Sequence, residues 1–144
     1  MVNLAYLEFI DKESENFYRQ KLLHLTNRGN CYRFDKCLDT ISIILSKEQS
    51  QDFFNINDLN VLLDICLQEI QREKDKDVRV QILRMIETIM DHEMYRTYPY
   101  KLDDIRDIIN ELILYEDEAQ GGGYSDKEKE YISRLNLKFQ MINM

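Results

Sequence analysis

Tryptophan is absent from the 144 residues, proline occurs once and glycine only four times. Sandwiches and barrels of β-strands need a turn signal roughly every ten residues, so this scarcity excludes them and favours long helices. No apolar run approaches the roughly 18 residues that a membrane-spanning helix requires. Cysteines number three, Cys31, Cys37 and Cys66, an odd count that suits reduced thiols better than a disulfide framework. The opening Met-Val-Asn-Leu-Ala-Tyr lacks the long apolar stretch of a secretory signal. A reduced, soluble, cytoplasmic protein is expected. A basic patch is missing as well. The formal net charge is −8, with the first 50 residues neutral and the remaining two thirds each at −4. Such a chain repels phosphate backbones and anionic lipid, so neither nucleic acid nor a membrane surface is an expected partner.

What is present is helical periodicity. Ser14 can cap a helix carrying Phe17, Tyr18, Leu22 and Leu25, with Gly29 placed to end it. A second stripe runs from Phe34 through Cys37, Leu38, Ile41, Ile44 and Leu45. Asn57 or Asp58 can cap a third, with Leu59, Leu62, Leu63, Cys66 and Ile70 on one side and Val61, Ile65 and Leu67 adding a second apolar face. A fourth spans 77–95 with Val78, Ile82, Met85, Ile86, Ile89 and Met90, and Tyr98-Pro99-Tyr100 interrupts it. The fifth carries Leu102, Ile105, Ile108, Ile109 and Leu112. The sixth follows Gly121-Gly122-Gly123, opening with the capping box Ser125-x-x-Glu128 before Tyr131, Ile132, Leu135, Phe139 and Ile142. Successive starts fall 20 to 25 residues apart, giving a two-helix unit of about 40–47 residues, the period of HEAT and armadillo arrays. The expected fold is therefore all-α, an armadillo/HEAT-like stack of about six helices. It forms one domain over 1–144, with a lead-in at 1–13 and a flexible connector at 117–124. A simple up-down bundle fits the helix lengths nearly as well.

Catalytic patterns are thin. His24, Cys31 and Cys37 are zinc-ligand types, but their C-x5-C spacing is wider than that of structural zinc sites, and Cys37 fits an apolar stripe. His92 has no H-x-x-x-H partner and reads as a solvated surface residue. Asp103, Asp104 and Asp107 suit the first turns of a helix by complementing its dipole, a better reading than acid–base chemistry. The Asp75–Asp77 run lacks the glycine and terminal glutamate of a calcium loop. The triple glycine lacks the Lys-Ser/Thr of a phosphate loop, and no G-x-S-x-G occurs. No enzyme, metal or cofactor is expected. The tyrosines Tyr95, Tyr98 and Tyr100 cluster at the proline, where they can anchor a partner or plug the bend between helices.

The order of motifs resembles a known family. Ser14 to Gly29 reads as a helix ending in KLL-L-NRG. Phe53-Phe54-x-x-Asn57-Asp58-Leu59-x-x-Leu62-Leu63-Asp64-Ile65 pairs aromatics with a capped helix. Arg79-x-x-x-Leu83, Pro99-Tyr100-Lys101 and Asp104-Ile105-x-x-Ile108-Ile109 follow in order. This succession is similar to the leucine-rich domain of the SH3-containing Nck-interacting proteins and their yeast relatives, from about Ser14 to the C-terminus. The resemblance implies an armadillo-type domain that binds the Arp2/3 complex and seeds unbranched actin filaments without a preformed filament, at endocytic sites and the cell cortex. No SH3 domain or proline-rich tract is present, so recruitment to Nck-type adaptors is not carried over. The family domain extends further on its N-terminal side, so the chain reads as the C-terminal part of a longer domain.

On the fourth helix Gln81, Arg84, Thr88 and Asp91 lie off the apolar stripe, and Arg79 with Arg84 offers two forks for a carboxylate. With Tyr95 and Tyr98 these are the expected partner-binding residues, although Arg79 could instead serve an intrahelical pair with Asp75. The competing reading is a generic HEAT/armadillo scaffold for another protein, and the sequence leaves homodimer formation open.

Overall fold

The computed structural model describes residues 34–47, 54–118 and 123–142. The helix expected after Ser14, with His24 and Cys31, lies outside them. Six helices and no strand occur among the described residues: α1 Phe34–Ser46, α2 Ile56–Ile70, α3 Lys76–Asp91, α4 Glu93–Thr97, α5 Leu102–Glu118 and α6 Asp126–Ile142. The fold is all-α, as the periodicity predicts. Two compact units divide the chain, residues 1–65 and 66–144.

In the first unit α1 buries the predicted stripe of Cys37, Leu38, Ile41, Ile44 and Leu45, and Phe54 is buried just before α2. The cap of α2 is Asn55 rather than Asn57 or Asp58. Asn55 Oδ1 accepts the Asp58 N–H at 2.9 Å, and Asp58 Oδ2 accepts the Asn55 N–H at 3.0 Å. That reciprocal box satisfies two donors which would otherwise be orphaned, and it starts the helix at Ile56. Of the second apolar face predicted for α2, Ile65 and Leu67 are buried while Val61 is exposed.

In the second unit Asp75 caps α3 by accepting from the N–H groups of Asp77 and Val78 at 2.9 and 3.4 Å. The helix expected over 77–95 is broken at His92, whose extended backbone (φ −69°, ψ 136°) ends α3 and begins α4. His92 Nδ1 accepts the Met94 N–H at 3.2 Å, so this half-buried residue is a cap and not a solvated side chain. Beyond Pro99, Lys101 takes φ 53° and its carbonyl accepts the Ile105 N–H at 3.0 Å, opening α5. Asp103 and Asp104 fill the first turn of α5, as expected, and the helix runs to Glu118, into the stretch read as a connector.

The helix α6 packs on both α3 and α5. Its contacts with α3 advance together along both chains. Arg79 faces Glu128, Glu87 faces Arg134 and Asp91 faces Lys138, the last two pairs 47 residues apart. Parallel neighbours separated by 47 residues are what a two-helix repeat produces, with α5 supplying the return. Ile82, Leu83, Met85, Ile86, Ile89 and Met90 of α3, Ile105, Ile108, Ile109 and Leu112 of α5, and Ile132 and Leu135 of α6 form the buried core of this unit. Each such side chain contributes about 1.5–3 kcal/mol by leaving water.

Candidate partner-binding surface

The predicted binding residues separate into an inward and an outward set. Arg84 is exposed on α3, and Asp91 is exposed one turn beyond the half-buried Thr88, whose Oγ1 donates to the Arg84 carbonyl at 2.8 Å. Positions 84, 88 and 91 follow helical spacing and share one side of α3. Gln81 is half-buried. Tyr98 is 70% exposed between α4 and α5.

Arg79 and Tyr95 turn inward. Arg79 Nη1 donates to the carbonyls of Ile70 and Glu73 at 3.1 and 2.9 Å, its Nε lies 3.6 Å from Glu128 Oε1, and the guanidinium covers the Tyr124 ring at 5.5 Å. It therefore ties the end of α2 and the following loop to α6, while Asp75 is occupied as the α3 cap. Tyr95 is fully buried and its hydroxyl donates to the Tyr100 carbonyl at 2.7 Å. Burial pushes its pKa up to about 12. Tyr95 thus plugs the bend, and of the two tyrosines in the predicted set only Tyr98 presents its ring to solvent.

The pattern reading missed the cations of α6. Lys138 Nζ donates to both oxygens of Asp91 at 2.7 and 2.9 Å, and Arg134 bonds Glu87 at 2.5 Å. The signal was in the sequence: Glu87 interrupts the apolar run of α3, and a charge buried at such a position needs a cation from elsewhere. Arg96 adds a second contact to Asp91 at 3.3 Å.

A groove of about 590 Å³ opens at the end of the second unit where α3 and α6 begin. Ile70, Ile108 and Leu112 give it an apolar floor, and Tyr115 and Tyr124 form an aromatic wall with ring centroids 5.1 Å apart. Glu128, 1% exposed, reaches it from α6, and half of the predicted capping box is diverted there. Ser125 Oγ accepts the Glu128 N–H at 3.3 Å, while the Glu128 carboxylate faces Arg79. Lys74, Lys76 and Glu111 stand at the rim.

Among the described residues no group of three or more His, Cys, Asp or Glu side chains is placed to hold a metal ion. Cys37 and Cys66 are buried and form no disulfide, and burial, with the nearby Glu69 charge, drives the Cys66 pKa far above the usual thiol value. No helix among the described residues is long and apolar enough to cross a membrane.

A family model describing the SPIN90/Ldb17 leucine-rich domain matches residues 2–105. No curated protein and no solved structure matches the chain. The family match begins before Ser14 and ends four residues into α5, so α6 and most of α5 fall outside it although the resemblance of motifs runs on to the C-terminus. Spanning well over half of the sequence and including α1 to α4, the match establishes that the chain belongs to the SPIN90/Ldb17 leucine-rich domain family.

Proposed function

We propose that this chain is an actin-regulatory binding module that engages the Arp2/3 complex and promotes nucleation of unbranched seed filaments without a preformed filament. The single observation that carries the reading is the family match over residues 2–105. The action is by binding and not catalysis: a protein that fits the activated arrangement of the complex better than the resting one shifts its population by that difference in affinity. Its place of action is the cytoplasm, at the cortex and endocytic sites. The outward set on α3, Arg84, Thr88 and Asp91, together with exposed Tyr98, is the proposed contact face. It offers a guanidinium for a partner carboxylate and an aromatic ring for an apolar pocket.

The test is a pyrene-actin polymerisation assay with purified Arp2/3 complex, no preformed filaments and increasing amounts of this chain. Faster nucleation giving unbranched filaments is the expected result. The double substitution Arg84→Glu and Tyr98→Ser should weaken the effect about tenfold or more with helicity unchanged. Unaltered potency of that variant would discard the face. Absence of both acceleration and co-sedimentation with the complex would discard the activity.

A further inference from the structure

The groove of the second unit holds a carboxylate that the described residues partner incompletely. Glu128 is 1% exposed, and its Oε1 accepts no hydrogen bond among the described residues. The Arg79 Nε is 3.6 Å away, too far for a hydrogen bond, because the guanidinium is anchored by Nη1 on two backbone carbonyls. Burial of a carboxylate is unfavourable unless its lone pairs are met by donors, and because Glu128 lines the groove a donor entering there can join Arg79 beside it.

We propose that this groove receives an arginine side chain from a segment of a partner protein. A guanidinium brings planar, charge-assisted donors to a carboxylate and stacks on aromatic rings, which suits the lining on both counts. The wall already accepts one guanidinium, since Arg79 lies over Tyr124 at 5.5 Å, and the neighbouring Tyr115 ring is 54% exposed. An arginine stem lies on Ile70, Ile108 and Leu112, and Glu111 at the rim adds a second carboxylate to the same opening. The volume of about 590 Å³ takes a long side chain with its flanking backbone. Lys74 and Lys76 on the rim set the context of that arginine. They repel a polybasic tract and favour an acidic residue beside the arginine, so the occupant is a mixed-charge segment. This assignment concerns α3, α5 and α6 and holds whatever protein supplies the segment, so its failure is a separate result from failure of the Arp2/3 reading.

The experiment is an NMR titration of the full chain with a blocked hexapeptide, Ac-ALERAL-NH2, and with the same peptide carrying citrulline in place of arginine. Citrulline keeps the shape and removes the charge. The expected result is saturable shifts at the Gly123 amide and the Tyr115 ring, with citrulline binding about tenfold or more weaker. Tyr115→Ser, at a half-exposed position, and Glu128→Gln should each weaken arginine-peptide binding by a similar factor. Should Glu128→Gln fail to fold, the Tyr115 variant and the citrulline comparison decide the matter. Equal affinity for the citrulline peptide, full affinity in Tyr115→Ser, or no saturable shift up to about 5 mM peptide would overturn the proposal.

Discussion

Arg79 shows how one side chain can look like a binding residue and be a structural one. Off the apolar stripe and able to fork, it has the chemistry of a carboxylate receptor, yet its partners are the carbonyls of Ile70 and Glu73 and the buried Glu128. Those partners lie six to 49 residues away, beyond the reach of any helical-neighbour rule, which is why the sequence offered only Asp75 as an alternative. Replacing Arg79 by alanine removes two charge-assisted hydrogen bonds and leaves Glu128 without its cation, a combined loss of about 3 kcal/mol. Arg84→Ala removes an exposed group and should stay within about 0.5 kcal/mol. Urea denaturation of the two variants checks the contrast. Equal midpoints for both would mean that the Arg79 network adds nothing to stability. The same comparison says which substitutions are useful in binding assays, because a variant at position 79 confounds lost contact with lost fold.

At the scale of the element, helix starts were legible wherever the capping group is local. The starts expected near residues 34, 77, 102 and 125 sit within a residue of those observed, because each depends on a side chain or a stripe within one turn. The break at His92 was hidden, since apolar periodicity continues across it through Tyr95 while a single imidazole nitrogen takes the cap. Lys101 was equally opaque: a left-handed φ is a backbone property that its side chain does not announce. At φ 53° a β-carbon is disfavoured, by roughly 1 kcal/mol for a residue that is neither glycine nor asparagine. Glycine suits that geometry and also caps helices well. Lys101→Gly is therefore expected to raise stability by about 0.5–1 kcal/mol, the relief of strain outweighing the extra freedom glycine gives the unfolded chain. Thermal melts at neutral pH measure it, and a lowered midpoint would show that the lost contact of the lysine with the Tyr100 ring and the freer unfolded chain together outweigh the strain.

Across the molecule, the family match and the compact units do not share a boundary. The match ends at residue 105, while the second unit runs to 144 and takes α6 into its core. Two contributions hold α6 in place, and their sizes differ. Lys138–Asp91 joins partly exposed groups and adds at most about 1 kcal/mol, while Arg134 answers the buried Glu87 carboxylate, whose desolvation offsets most of what that pair gains. Ile132 and Leu135 are buried, and together they contribute about 3–6 kcal/mol, comparable with the whole stability of a small domain. Apolar packing is thus the larger contribution, and the ion pairs fix register along α3. Shortening the chain after Glu118 should abolish the cooperative unfolding transition of the second unit, whereas Lys138→Ala, which leaves Arg134 on the buried Glu87, should lower its midpoint by only a few degrees. Circular dichroism melts of the three proteins decide between these. A truncated chain that melts as cooperatively as the whole would show that the matched region folds without α6, and that the 47-residue register is an accessory to the fold instead of part of it.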